Sequence, residues 1–124
     1  MNIPSNLRYT HDHEWVKIQG NQAVVGITDY AQSQLGDIVF VDIQTQDEHL
    51  DAGEEFGAIE AVKTVAQALM PISGTIVQVN SQLESEPQLV NNDPYGNGWM
   101  ITVEMSNPQE VNNLLTPEAY KELL

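Results

Sequence analysis

The sequence predicts a mainly β fold in which short helices lie at the periphery and at the C-terminus. Three observations predict it: β-branched and aromatic residues occur in short runs, glycine and proline separate these runs, and helical spacing lasts only a turn or two at a time. A chain of 124 residues can bury one core of moderate size but is too short for two ordinary domains. We therefore expect residues 1–124 to form a single domain.

The first predicted elements are a hairpin and a short helix. Residues 8–28 alternate between apolar and polar side chains on either side of the polar turn at residues 19–22, which is typical of a β-hairpin. Thr28 or Asp29 can cap a helix of about two turns at its N-terminus, and Gly36 can end it in a left-handed conformation.

Three central strands follow. Residues 37–43 carry β-branched and aromatic side chains on both faces, which predicts either a strand that is buried on both sides or a core strand of a β-sandwich. Residues 56–62 and 65–70 also favour strands, and only Lys63 and Thr64 separate them. The sequence therefore predicts a tight hairpin with a lysine at its tip.

The remaining elements are two strands and two C-terminal helices. Residues 75–80 and 99–105 are strand-like, whereas residues 107–124 contain two helix starts, each with a capping residue followed by proline. Residues 36–41 and 74–79 share the pattern Gly-x-Ile-Val-x-Val. Two similar halves would place these segments at equivalent positions in the fold.

Charge and composition exclude several functions. With 18 acidic residues, four basic residues and a net charge of -14, the chain would be repelled by nucleic acids and by anionic membranes. The same charge can steer the chain toward basic protein surfaces, or it can simply maintain solubility. There is no cysteine, which excludes disulfides, thiolate nucleophiles and Cys-ligated metals and leaves the redox compartment open. Residues 1–6 do not resemble a secretory or transit signal, so we expect a bacterial cytoplasmic protein.

No arrangement of side chains predicts an enzyme. A nucleophile with a base, a carboxylate pair or a metal cluster does not stand out, and we predict neither a catalytic residue nor a metal. His11 and His13 would lie on the same side of a strand, but without a third ligand they favour structural roles over zinc binding. Residues 96–98, Gly-Asn-Gly, form a turn and not a dinucleotide fingerprint.

Lys63 is the residue that suggests a function. It is one of only three lysines, and the predicted hairpin holds it outermost. A flexible four-carbon stem that ends in an amine is a suitable attachment point for an acyl group, as in lipoamide and biotin carriers. Position alone leaves open that Lys63 is an ordinary exposed turn lysine.

The neighbouring residues add a family resemblance. Residues 57–74, Gly-Ala-Ile-Glu-Ala-Val-Lys-Thr-Val-Ala-Gln-Ala-Leu-Met-Pro-Ile-Ser-Gly, resemble the lipoyl-attachment signature of glycine cleavage system H proteins. The likeness continues in residues 9–15, 26–40 and 92–99 and reaches the Pro-Glu-Ala-Tyr segment near the C-terminus. It implies a flattened β-sandwich of the lipoyl and biotinyl carrier type, a barrel-sandwich hybrid.

The resemblance also implies a site and a role. Lys63 would carry lipoate as N6-lipoyllysine, and Glu60 and Gly74 occupy the positions that assist recognition by the lipoylating enzyme. The chain would be a non-catalytic carrier, expected to be monomeric. It would take the aminomethyl intermediate from the pyridoxal phosphate enzyme glycine decarboxylase to the tetrahydrofolate-dependent aminomethyltransferase, before reoxidation by dihydrolipoamide dehydrogenase.

Two positions depart from the family pattern, and the residues leave rival functions open. Ala61 replaces the usual serine, and Gln67 replaces the usual acid, which weakens an electrostatic contact to the lipoylating enzyme. Because a glutamine amide can still form a hydrogen bond there, we expect lipoylation to persist. A biotinyl carrier would typically have methionines where Val62 and Thr64 flank the lysine. A protein that relays lipoyl groups to other lipoyl domains and an unmodified acidic binding module are both compatible with the sequence.

Overall fold

Two antiparallel β-sheets with short helices around them make up the fold, which a computed structural model describes for residues 1–124. The strands are β1 (Arg8–Tyr9), β2 (Glu14–Gln19), β3 (Gln22–Ile27), β4 (Ile38–Asp42), β5 (His49–Leu50), β6 (Glu55–Ala61), β7 (Val65–Leu69), β8 (Gly74–Val79) and β9 (Ile101–Met105). The larger sheet has the order β1-β2-β3-β9-β8-β5, and the smaller one has the order β4-β6-β7. The predicted mainly β fold is confirmed.

The helices are as short as the sequence predicted. They are α1 (Asp29–Leu35), α2 (Gln82–Ser85), α3 (Leu89–Asn92), a 3-10 helix (Pro108–Asn113) and α4 (Pro117–Leu123). Thr28 caps α1 and Thr116 caps α4, each accepting a hydrogen bond on its side chain from a backbone N–H three residues on. No helix has the length and apolar character needed to cross a membrane.

The apolar core lies between the two sheets, where 18 buried residues form one cluster. Both sheets contribute to it, including Val25 and Ile76 from the larger sheet and Ile59 from the smaller. The smaller sheet buries one face in this core, which fixes its strands and therefore the hairpin that β6 and β7 form.

A second, smaller cluster fastens the C-terminal helix. Tyr9 and Tyr120 stack with their ring centroids 4.6 Å apart, and both are fully buried. The Tyr120 hydroxyl forms hydrogen bonds with Thr28 Oγ1 at 2.7 Å and with His13 Nδ1 at 2.8 Å. One buried hydroxyl thus joins α4 to the N-terminus of α1 and to the turn before β2.

We expect Tyr120→Phe to lower the free energy of unfolding by about 1–2 kcal/mol, because it removes both hydrogen bonds while keeping the ring stack. Urea unfolding monitored by tryptophan fluorescence measures this change. Tyr30→Phe is the matched control, since the Tyr30 hydroxyl makes no hydrogen bond in the structure. Equal stability losses in the two variants would contradict the role of the Tyr120 hydroxyl.

Of the two alternatives for β4, a core strand of a sandwich agrees with the structure, whereas burial on both faces is wrong for two residues. Ile38 and Val41 are buried, but Val39 is 54% exposed and Phe40 is 44% exposed. The cause is a β-bulge, because the pairing of β4 with β6 shifts by one residue between Ile38 and Phe40. An extra residue in one strand turns neighbouring side chains toward the same face.

The repeated Gly-x-Ile-Val-x-Val pattern has a structural counterpart. In β8 the pairing with β9 shifts between Ile76 and Gln78, which occupy the same pattern positions as Ile38 and Phe40. Both copies are therefore strands with a bulge at the same place. Gln78 is exposed, as Phe40 is, so the equivalent bulge accepts a polar side chain.

Candidate functional site

Lys63 lies at the tip of the hairpin between β6 and β7, as the sequence predicted. Directly below the tip, Ala61 N–H donates to the Thr64 carbonyl oxygen at 2.8 Å, and the ladder continues with Glu60 opposite Val65. Val62 N–H donates to the carbonyl oxygen of Asp37 at 3.0 Å, which ties the tip to the start of β4. The backbone of the tip is thus held on both sides, while the side chain of Lys63 is exposed.

The amine of Lys63 has no anionic partner. The only contact within 4.0 Å between a basic and an acidic side chain joins His49 and Asp51, so no carboxylate lies within 4.0 Å of Lys63 Nζ despite 18 acidic residues. The lysine stem passes close to Gly36, because a Cβ added there would lie 3.5 Å from Lys63 Cε. An exposed, unpaired amine on a fixed backbone suits acylation by an external enzyme.

The structure separates the two predicted recognition residues. Glu60 lies on the smaller sheet, half-buried between its cross-strand neighbours Phe40 and Val65, and forms no ion pair with Lys63. Gly74 is buried in the other sheet, where β8 pairs with both β5 and β9. The geometry therefore brings Glu60 next to the hairpin tip but places Gly74 inside the scaffold.

A cleft of about 350 Å³ opens beside the hairpin. One wall is α1, another is the turn that leads into β2, and the third consists of Ile59, Ala66 and Gln67 from β6 and β7. The cleft reaches Leu35, the last residue of α1, and the Lys63 stem passes near the next residue, Gly36. A group attached to Lys63 therefore has a partly apolar recess within reach.

Glu14 lies in this cleft, and sequence reasoning did not identify it. Its side chain is only 3% exposed, and Thr10 Oγ1 donates to Glu14 Oε1 at 2.5 Å. Burial raises the pKa of Glu14 to about 7, although the hydrogen bond from Thr10 opposes this effect. Such a carboxyl group is partly ionised near neutral pH and gains charge when a cation approaches it.

The turn before Glu14 explains how the carboxyl group reaches the cleft. His13 has a φ of 69°, a left-handed conformation that is uncommon for a residue other than glycine. The His13 Nδ1 atom is hydrogen-bonded to the Tyr120 hydroxyl, and burial lowers the pKa of His13. His11 is exposed. The chain contains no group of three side chains that could hold a metal. The only signal in the sequence for the buried position of Glu14 was that this acid directly precedes the apolar pair Trp15 and Val16.

Gln67 also lines this cleft and is exposed. Because Gln67 stands where the family usually has an acid, the cleft contains only two carboxyl groups, the buried one of Glu14 and that of Asp12 on the wall. Ala61, the other departure from the family pattern, is buried at the end of β6, where serine would bury a hydroxyl group.

We expect Glu14→Gln to change how stability depends on pH. The folded chain keeps a proton on Glu14 up to about pH 7, whereas the ordinary pKa is 4.5, so folding stability falls as pH rises between these values. The variant lacks this loss, and its stability relative to the parent should rise by roughly 2–3 kcal/mol between pH 4 and pH 8. Urea unfolding at a series of pH values measures the difference. Glu84→Gln removes the same charge from an exposed site, and an equal pH effect there would refute the assignment.

A two-sheet β scaffold with an exposed lysine at a hairpin tip is the arrangement of lipoyl-carrier folds, and the chain has a fold of this class. The family model described as glycine cleavage H-protein matches residues 7–124. Glycine cleavage system H proteins of Bacteroides fragilis and Bacteroides thetaiotaomicron are each 54% identical over 121 residues, which is 98% of this chain and 96% of either relative.

A solved structure agrees with these matches. The crystal structure of a glycine cleavage system H protein from Mycobacterium marinum superimposes with a TM-score of 0.88 at 40% identity and covers 97% of both chains. The chain belongs to the glycine cleavage H-protein family and is a lipoyl carrier of the glycine cleavage system. The resemblance found in the sequence is confirmed.

Proposed function

We propose that Lys63 is the lipoyl-attachment residue and that the chain itself catalyses no reaction. The observation that carries this proposal is the exposed, unpaired amine at the tip of a hairpin whose backbone is fixed on both sides. The chain offers two other lysines, and neither fits as well. Lys17 lies within β2 and Lys121 within α4, so neither projects from a turn.

The lipoyl group, when bound, supplies a disulfide that accepts an aminomethyl group, and oxidation of the resulting dithiol later restores this disulfide. The residues of this chain position it. The β6–β7 ladder holds the root of the arm, and the Lys63 stem adds freely rotating bonds. Attachment through an amide removes the charge of Lys63 and takes the net charge from -14 to -15. A tethered group of this kind meets each partner at high effective concentration while the scaffold docks weakly.

We infer that the cleft beside the hairpin receives the cationic end of the loaded arm. Ile59, Ala66 and Leu35 give it apolar walls that limit the access of water. Glu14 supplies a buried carboxylate, whose pKa would fall from about 7 when an ammonium group approaches it. The ion pair would form in a site of low polarity, where it is stronger than in water.

Membership of the glycine cleavage system implies a multienzyme set of partners. We propose that these are glycine decarboxylase, the aminomethyltransferase and dihydrolipoamide dehydrogenase, with a lipoylating enzyme that modifies Lys63. Glu60 would contact that enzyme, and Gly74 would act through the shape of the scaffold, because it is buried. The relatives named above are bacterial, and we propose that this protein acts in a bacterial cytoplasm.

Intact mass followed by peptide mapping tests the central proposal. We expect the chain from lipoate-replete cells to carry one lipoyl group, located on Lys63 and absent from Lys17 and Lys121. An unmodified chain from such cells would favour an acidic binding module instead. A lipoyl group on either other lysine would refute the attachment site.

A further inference from the structure

Exposed apolar side chains surround the root of the Lys63 arm. Val39, Phe40, Val62 and Val65 are 54%, 44%, 76% and 61% exposed, respectively. Four other large apolar residues are exposed, but three of them lie at the chain ends and the fourth, Ile18, lies on β2 in the larger sheet. We call the four side chains together with Glu60 the arm-root surface.

The arm-root surface is continuous across the smaller sheet. Phe40 lies opposite Glu60 in the β4–β6 pairing, and Glu60 lies opposite Val65 in the β6–β7 pairing, so the three form one row across the strands. The bulge in β4 adds Val39 beside this row. Val62 closes the surface at the tip, where its N–H bonds to the start of β4.

The fold does not require this apolar character. At the equivalent bulge of β8 the position of Phe40 is taken by Gln78, which is exposed and polar. The side chains of the arm-root surface point away from the core and gain little from folding while they stay in water. A cluster of exposed apolar side chains is typical of a protein-binding surface.

We propose that the arm-root surface docks the acyltransferase that lipoylates Lys63, an inference that rests on the proposed attachment site. The reach of the arm selects this partner. Enzymes that act on the loaded arm meet its far end and can dock at a distance, whereas the acyltransferase must reach Nζ on a stem of four carbons. Its own surface must therefore touch the hairpin and the strands beside it.

The chemistry of the partner follows from the surface. The acyltransferase presents an apolar recess for Phe40 and Val65, and a basic group that pairs with Glu60. In the reaction the amide bond forms between Lys63 Nζ and the lipoyl carbonyl of an acyl adenylate, while the acyl–phosphate bond breaks. AMP leaves, and the proton of the amine passes to a base of the acyltransferase. The net charge of -14 favours the approach to a basic enzyme surface.

Lipoylation kinetics of the unmodified chain test the proposal, with a lipoate–protein ligase, lipoate and ATP, and intact mass as the readout. Phe40→Gln copies the residue of the equivalent bulge, and Val65→Thr keeps a β-branched side chain. We expect kcat/KM to fall about tenfold for Phe40→Gln and about 30-fold for the double variant, mainly through KM. Ile18→Thr, an apolar exposed control on the other sheet, should leave the rate unchanged.

Direct binding and the modified proteins complete the test. The affinity of the unmodified double variant for the ligase should fall in parallel with kcat/KM. After lipoylation to completion with excess ligase, the double variant should support glycine–bicarbonate exchange by glycine decarboxylase within about twofold of the parent.

Three outcomes would decide against the proposal. Unchanged lipoylation of the double variant would overturn it, and so would an equal loss in Ile18→Thr. A fully lipoylated double variant that fails in the exchange assay would assign the surface to glycine decarboxylase instead. Failure of the parent chain to become lipoylated on Lys63 would refute the proposed function itself and is recognised separately by mass.

Discussion

Lys63→Arg is expected to leave the chain unlipoylated and to lower glycine–bicarbonate exchange about a thousandfold or more, to the level of an assay without the chain. Arginine keeps the positive charge, but its guanidinium group does not form the amide that holds the arm. Without the arm there is no tethered group to enter a partner's active site. Intact mass and the rate of exchange between glycine and labelled bicarbonate measure the two effects.

The fold should be unaffected by this change, because Lys63 is exposed and makes no ion pair. Its free energy of unfolding should stay within about 0.5 kcal/mol of the parent value. Lys17→Arg is the matched control, since Lys17 is also exposed but lies within β2. Exchange activity retained by Lys63→Arg, or lost by Lys17→Arg, would contradict the attachment site.

Gly74→Ala is expected to destabilise the fold by about 3 kcal/mol, because β8 and β9 approach too closely at this point for a side chain. A Cβ on Gly74 would collide with the carbonyl oxygen of Glu104 and would lie 2.6 Å from Val103 Cγ1. The first contact is with backbone, which cannot rotate away, and pairing with β5 on the other side limits any shift of β8. Urea unfolding measures the loss.

Gly20→Ala separates this steric effect from the ordinary cost of replacing glycine. Gly20 has a φ of 63° and open space around its Cβ position, so only conformational strain of about 1 kcal/mol is expected. The folded fraction of Gly74→Ala should be lipoylated normally if this glycine acts through the scaffold. Parent-like stability with poor lipoylation would instead show that the enzyme recognises Gly74 directly.

Both glycines show where sequence reasoning was sufficient and where it was not. The turn at Gly20 and the hairpin tip at Lys63 depend on neighbours in the chain, and both were predicted. The steric need at Gly74 depends on Glu104, which lies on β9, 30 residues later. A local pattern carries no information about such an approach.

The bulge in β4 was missed for a similar reason. A run of apolar residues at 38–41 predicts burial on both faces, but the run does not reveal that the partner strand has one residue fewer at this point. The shift exposes Val39 and Phe40 beside the hairpin. An error in the predicted burial therefore coincides with the surface that we propose for docking.

The sequence by itself determined the mainly β class, the hairpin that presents Lys63 and, through the resemblance, the family. These follow from residues that are adjacent in the chain, where spacing and turn preference decide the structure. Only the tertiary structure decided that Glu14 is buried in a cleft beside the hairpin, with its pKa raised to about 7. Glu14 and the hairpin strands are far apart in sequence, and desolvation of its carboxyl group arises only when the sheets and α1 pack around it.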